Sequence, residues 1–353
     1  MKNRWIAILS SVLICAAFFI LYQQMSNDRD EQPFRCSPET ALASEKYSVR
    51  WYHRGLFRRL RGVALVVHGL NLKPEKMETV ILQLNRAGIE ALNVSLHGHG
   101  DNYVHRDRED PKEARLDSFR TATYGLWSSE VRRAYLKVRE RGDRGKVPVF
   151  LVGYSLGALL GCDLLVSDAD VHFDRMVLFA PALNAMIEPY ILKALMPFPN
   201  IVIDSLSPET YRSNDGTPMA GYKAFFEALD HFQKHIRATL NIPTIVFMDR
   251  EDEFISSERL QEMIDRNHLD RWRVSAVQKA LPEAGLYAHH LLIDEASMGK
   301  EAWARMRKMI SGHLFPEPTR RGTGGAQSLE KRMSPPAITS PIFSDNLMMS
   351  NGF

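Results

Sequence analysis

An α/β domain built on a mostly parallel sheet is predicted by three features of the sequence. Short β-branched runs recur between helical stretches from about Tyr47 to Pro316, the pattern of βαβ units. Val63, Ala64, Leu65, Val66 and Val67 make one unbroken apolar run, as a strand buried on both faces requires. Gly153-Tyr154-Ser155-Leu156-Gly157 then joins a second apolar run to a helix rich in small residues.

The elements follow in order. After the strand at 63–67, Pro74 opens a helix whose apolar positions include Met77, Val80, Ile81 and Leu84, and Gly88 closes it. A strand is expected at 90–96. A long charged helix follows from about Ser118 to Arg141, with Gly142 as its stop signal. Strands at 147–152, 176–179 and 244–248 and a last helix at 300–312 complete the domain, which spans 46–315. The stretch 184–242 interrupts the alternation with helical and loop signals but no strand of core quality, and inserts this long are commonly caps or lids. Residues 316–353, rich in Pro, Ser, Gly, Met and Arg without a period, read as a disordered tail.

Composition excludes several classes. The 353 residues carry a formal net charge of +3, too near zero to call for a nucleic-acid partner. Three cysteines (Cys15, Cys36, Cys162) cannot form a disulfide framework and lack zinc-ligand spacing, and all three read as ordinary thiols. Residues 1–25 stand apart from the fold. Lys2 and Arg4 precede an uncharged apolar run over 5–22, and Asp28, Asp30 and Glu31 follow it. That asymmetry predicts a membrane anchor with a cytoplasmic N-terminus, and 26–45 is a polar tether. A cleaved signal peptide is the competing reading. Either way the domain is expected outside the cytoplasm, in the periplasm of a bacterium.

The Gly-x-Ser-x-Gly turn predicts a nucleophile, Ser155. A serine on a sharp strand-to-helix turn has a strained backbone, and glycine at 153 and 157 removes collisions with it. The negative charge that builds on a carbonyl oxygen under attack needs fixed N–H donors. The Leu156 N–H, at the start of the helix, is one. The second is assigned to the Leu70 N–H, in the turn His68-Gly69-Leu70-Asn71 after the preceding central strand.

A serine hydroxyl also needs a histidine base held by a carboxylate, in chain order Ser, acid, His. The loop after 242–248 holds Asp249, Glu251, Asp252 and Glu253. Asp252 has the usual distance from the strand end, and Asp249 is the alternative. His290, before Leu291-Leu292-Ile293, is the expected base, and the adjacent His289 is the alternative. His97, His99 and His105 suggest a metal cluster, but no carboxylate or thiolate set is spaced to complete it.

With these residues placed, the chain resembles the α/β-hydrolase superfamily. The likeness spans roughly 60–315 and rests on His68-Gly69, the stretch His97-Gly98-His99-Gly100-Asp101, the serine turn, the Asp252 loop and the His290 step. It is similar to the monoacylglycerol lipase, lysophospholipase and carboxylesterase branch, which shares a profile with serine aminopeptidases. The resemblance implies a sheet flanked by helices, a cap over the site and no cofactor. Two departures are visible: Leu70-Asn71 stands where many relatives have a second glycine or an aromatic residue, and the pre-sheet hairpin is shortened to 47–53.

Met186 to Met196, in the insert, is markedly apolar, which suits a lid over an acyl or lipid-like ester. Packing of the cap onto the domain would demand the same residues. Arg54, Arg58, Arg59 and Arg61 form a basic cluster that suits either anionic headgroups or a solvated turn. The expected activity is carboxylic-ester hydrolysis through an acyl-enzyme. Aminopeptidase or thioesterase chemistry on the same triad is an alternative, as is a silent membrane-tethered binding module.

Overall fold

A computed structural model describes residues 48–55, 58–105, 110–184, 195–279 and 289–316. Its strands are β1 (Val49–Tyr52), β2 (Gly62–Val67), β3 (Ile89–Val94), β4 (Val149–Tyr154), β5 (Arg175–Phe179), β6 (Val202–Asp204), β7 (Gly216–Pro218), β8 (Thr244–Asp249) and β9 (Trp272–Val277). Its helices are α1 (Glu78–Arg86), α2 (Pro111–Arg120), α3 (Tyr124–Gly145), α4 (Leu156–Ser167), α5 (Met219–His235), α6 (Ser257–Arg266), α7 (Glu295–Met298) and α8 (Lys300–Leu314). Seven strands form one sheet in the order β1-β3-β2-β4-β5-β8-β9. Only β1 is antiparallel to its neighbour.

The apolar runs are continuous because helices cover both faces of the sheet. Along β2, Val63, Leu65 and Val67 face one core layer, with Trp127, Val131 and Leu159. Ala64 and Val66 face the other, with Val80, Ile81, Leu84, Trp303, Met306 and Ile310. Side chains alternate along a strand, so both sets must be apolar.

The structure departs from the expectations in several places. The single helix expected over 118–141 is two. α2 ends at Arg120, and Thr123, extended, accepts the Leu126 N–H to cap α3. α3 also runs three residues past Gly142. A Cβ at Gly142 would lie 2.5 Å from Val149 Cγ2, so that glycine lets the helix approach β4 and does not end the helix. β9 and α6 were not anticipated. Within the basic cluster Arg54 pairs with Glu90, Arg58 donates to the Arg86 carbonyl and Arg61 lies over the Phe315 ring at 3.7 Å, while Arg58, Arg59 and Arg61 remain exposed.

The described part of the insert holds the β6–β7 ribbon and α5, so the cap contains a short antiparallel pair that no core-quality run announced. α5 is bolted to the domain. His231 Nδ1 donates to Asp163 of α4 at 2.8 Å, and the Tyr124 hydroxyl donates to the other oxygen of that buried carboxylate at 2.7 Å. Cys162 is a buried free thiol. The expected anchor (1–25), the tether (26–45), the tail from 317 onward and the apolar stretch 186–194 lie outside the described residues. Among the described residues no helix is long and apolar enough to cross a membrane.

Candidate active site

Ser155 stands between β4 and α4 with φ 51° and ψ −115°, a region that L-residues rarely occupy. The turn is so tight that its flanking glycines are obligatory, although not for the reason expected. A Cβ at Gly153 would lie 2.5 Å from Ala158 Cα. One at Gly157 would lie 2.2 Å from the Val67 carbonyl oxygen at the end of β2. The collisions are therefore with the helix and the adjacent strand, not with the serine itself. The chain is anchored by the Ser155 N–H, which donates to the Phe179 carbonyl at 2.9 Å.

The four carboxylates after β8 have separate tasks. Asp252 accepts from His290 Nδ1, at 2.8 Å on Oδ2 and 3.1 Å on Oδ1. That bond places the ring proton on Nδ1 and leaves Nε2 free to accept from the Ser155 hydroxyl, 2.9 Å away. Asp252 Oδ1 also accepts the Phe254 and Ile255 N–H groups at 2.9 and 3.0 Å. Asp249 accepts from His289 Nδ1 at 3.1 Å, and Glu251 lies 3.4 Å from His289 Nε2. Glu253 receives the backbone N–H of His289 on one oxygen and that of His290 on the other, at 3.2 and 3.0 Å. The structure thus brings Ser155, Asp252 and His290 together, and gives Asp249 and His289 to each other.

The histidines of the two glycine-rich loops are braces. The Leu96 N–H donates to His68 Nε2 at 3.1 Å, so His68 carries its proton on Nδ1, which donates to the Gly69 carbonyl at 2.7 Å. Burial pushes the His68 pKa down to about 4, which keeps the ring neutral. The Leu72 N–H donates to the same carbonyl at 3.2 Å. In a trans peptide the N–H points opposite the C=O, so this grip aims the Leu70 N–H away from His68. The Leu156 N–H stands at the first turn of α4. Among the described residues neither amide has a hydrogen-bond partner, as open oxyanion donors require. His99 Nε2 accepts the Asn71 N–H at 2.9 Å. Among the described residues no group of three or more metal-ligating side chains converges, and His97 Nε2 lies 3.1 Å from the Thr121 hydroxyl.

The model of the family described as Serine aminopeptidase, S33, matches residues 58–229, from the approach to β2 into α5. No curated protein matches the sequence. A soluble variant of monoglyceride lipase from Saccharomyces cerevisiae, solved with a substrate analogue, superposes with a TM-score of 0.59 at 13% identity, covering 75% of this chain and 90% of that one. The Paleococcus ferrophilus monoacylglycerol lipase gives 0.53 at 15%, covering 76% and 98%. A highly thermostable carboxyl esterase from Bacillus coagulans gives 0.51 at 13%, covering 76% and 94%. At such identities the likeness is one of fold, and it joins the elbow geometry and the family match. The chain has the α/β-hydrolase fold. The family match and the elbow geometry support a serine hydrolase, whose acid and base candidates lie beyond the matched stretch.

Two features of the site were not expected from the sequence. Asn71, at φ 54°, turns its side chain to Asn214 in the cap: Oδ1 accepts the Asn214 N–H at 2.9 Å, and Nδ2 donates to the Asn214 carbonyl at 3.0 Å. The departure at Leu70-Asn71 is therefore a clasp between the oxyanion loop and the cap. Glu253 is the second, and its only sequence signal was crowding among acids. Ser155 opens into a cavity of about 160 Å³ lined mainly by apolar groups, among them Leu70, Ile203, Leu206, Phe225 and Phe254.

Proposed function

We propose that this α/β-hydrolase cleaves carboxylic esters of apolar acyl groups through an acyl-enzyme on Ser155. The observation that carries the reading is the unbroken relay from Asp252 through His290 to Ser155. His290 Nε2 takes the hydroxyl proton as Oγ attacks the carbonyl carbon, and Asp252 stabilises the imidazolium that forms. The oxyanion of the tetrahedral intermediate accepts from the Leu70 and Leu156 N–H groups. His290 then returns the proton to the leaving alcohol, and water repeats the sequence in reverse to free the acid.

The apolar cavity supports an acyl group as the recognised part, and the lipase and esterase neighbours support the ester bond. Its volume is about that of five liquid waters, which suits the acyl carbons next to the scissile carbonyl. A second reading, aminopeptidase activity, has one specific observation behind it besides the family match: Asp204 is the one carboxylate lining the cavity among the described residues, and could hold an ammonium group. The test is hydrolysis of an acyl-ester chain-length series beside aminoacyl amides, with Ser155→Ala as control. Serine-dependent ester cleavage at short and medium chain lengths is expected. Cleavage of the amides alone would transfer the assignment to the second reading, and no reaction with a fluorophosphonate would remove both.

We also propose that the N-terminal segment anchors the domain at the outer face of the cytoplasmic membrane, supported by the uncharged run over 5–22 and its flanking charges. Alkaline extraction of membranes should leave the chain in the pellet, and its release would overturn the anchor.

A further inference from the structure

At the far end of the sheet from Ser155 lies a second cavity, of about 620 Å³, lined by Arg175, Arg271, Arg273, Lys308, His313 and Thr244 among others. Arg175 is the first residue of β5, Thr244 the first of β8, and Arg273 stands near the start of β9. Ser155 and Asp249 lie at the opposite ends of strands in the same parallel sheet. At about 3.3 Å per residue, the length of a strand, some 15–20 Å, separates the two cavities.

Several arginines elsewhere have acidic partners: Arg54 and Arg141 pair with Glu90, Arg120 with Asp117, Arg132 with Asp168, and Arg139 with Asp143. Among the described residues none of the four cations lining this cavity makes an ion pair or side-chain hydrogen bond, and no acidic side chain lines it. Asp174, next to Arg175, turns its carboxylate to the Val149 N–H at 2.8 Å. His313 has a buried Nε2 with no hydrogen-bond partner. Its pKa is pushed down to about 4, by burial first and then by the charge of Arg175, with Arg273 adding to it.

Four like charges around one concavity repel one another, and a bound anion relieves them. A carboxylate would neutralise one of four. Three guanidinium forks and an ammonium match a ligand that bears several charges on tetrahedral oxygens. We propose that this cavity is a binding site for a phosphate-bearing polyanion of roughly pyrophosphate size, separate from the ester site. Two sources share that chemistry: a free phosphoanion and adjacent phospholipid headgroups of an anionic membrane surface, which together carry a comparable charge.

The experiment uses the full chain and the double variant Arg271→Gln/Arg273→Gln, whose altered side chains are exposed. Calorimetric titration with inorganic pyrophosphate tests the free anion. Binding to phosphatidylglycerol vesicles against phosphatidylcholine vesicles tests the headgroup, and the N-terminal segment, whose Lys2 and Arg4 favour the anionic lipid, is identical in wild type and variant. The expected result is saturable binding that raises the melting temperature and weakens about tenfold or more in the variant, with ester kcat unchanged. Bound anion should also raise the His313 pKa, read from its ring proton shifts. Saturation by pyrophosphate assigns the free anion, and a phosphatidylglycerol preference lost in the variant assigns the headgroup. Neither signal, or equal binding by both proteins, overturns the proposal.

Discussion

Asp252→Asn is the substitution that best separates this arrangement from its alternatives. Asp252 Oδ1 accepts two backbone N–H groups, those of Phe254 and Ile255. An asparagine there must keep its oxygen on that side, because turning its NH2 toward two buried donors would cost about 1–3 kcal/mol for each partner left unsatisfied. The amide nitrogen then faces His290 Nδ1, which has to become the acceptor. The ring proton moves to Nε2, and Nε2 can no longer take the proton of Ser155. A wrong-tautomer base of this kind loses about 10⁴ in kcat, or about 5 kcal/mol of barrier. The same exchange at Asp249 disturbs only His289, and kcat should stay within about threefold, as expected for a change outside the reacting network. The assay is kcat for a short-chain ester in both variants, with thermal unfolding to verify that each is folded. A larger loss in Asp249→Asn than in Asp252→Asn would refute the assignment, as would Asp252→Asn retaining more than a tenth of the activity.

Gly157→Ala should destabilise the domain by about 3 kcal/mol and abolish fluorophosphonate labelling, because the new methyl meets the Val67 carbonyl, a backbone group that cannot step aside. Unfolding in urea beside a labelling assay checks it, and normal labelling at wild-type stability would contradict it. Lys279 donates to the Leu291 carbonyl just after His290, and burial pushes its pKa down to about 8 from the ordinary 10.5. Between those values the unfolded chain holds more protons at this lysine than the folded one, so this group makes stability rise from about pH 8 to 10.5. The difference in unfolding free energy between wild type and Lys279→Met should therefore change across that window, and a difference flat with pH would argue against a shifted lysine.

What could be read from the sequence was whatever the hydrophobic effect and the elbow impose together. β2, β4 and β8 are buried along their whole length, so their apolar runs were unmistakable. β9 sits at the sheet edge with Arg273 and Ala276 exposed and Trp272 alone fully buried, so its run is broken by polar residues and gave no signal. The junction between α2 and α3 has no glycine or proline, and only a threonine cap marks it. The candidacy of Ser155, Leu70 and Leu156 could be argued from the turn itself. Choosing among four neighbouring carboxylates and two neighbouring histidines required knowing which way each side chain points, and adjacent residues of one loop differ in that alone. The Asn71–Asn214 clasp joins residues 143 apart, a pairing that no local pattern encodes.

The left-handed backbone at Ser155 has one more consequence. Its φ of 51° suits glycine better than any residue with a Cβ. The chain therefore holds its reactive atom at a torsion that the unfolded polypeptide avoids, and the surrounding fold must supply the difference. Inertness and relaxation coincide at this one position: a chain with glycine in place of the serine would lose its chemistry and sit more comfortably in the same fold. Thermal robustness alone would favour the glycine, so a serine at that torsion costs stability for which a chemical task accounts.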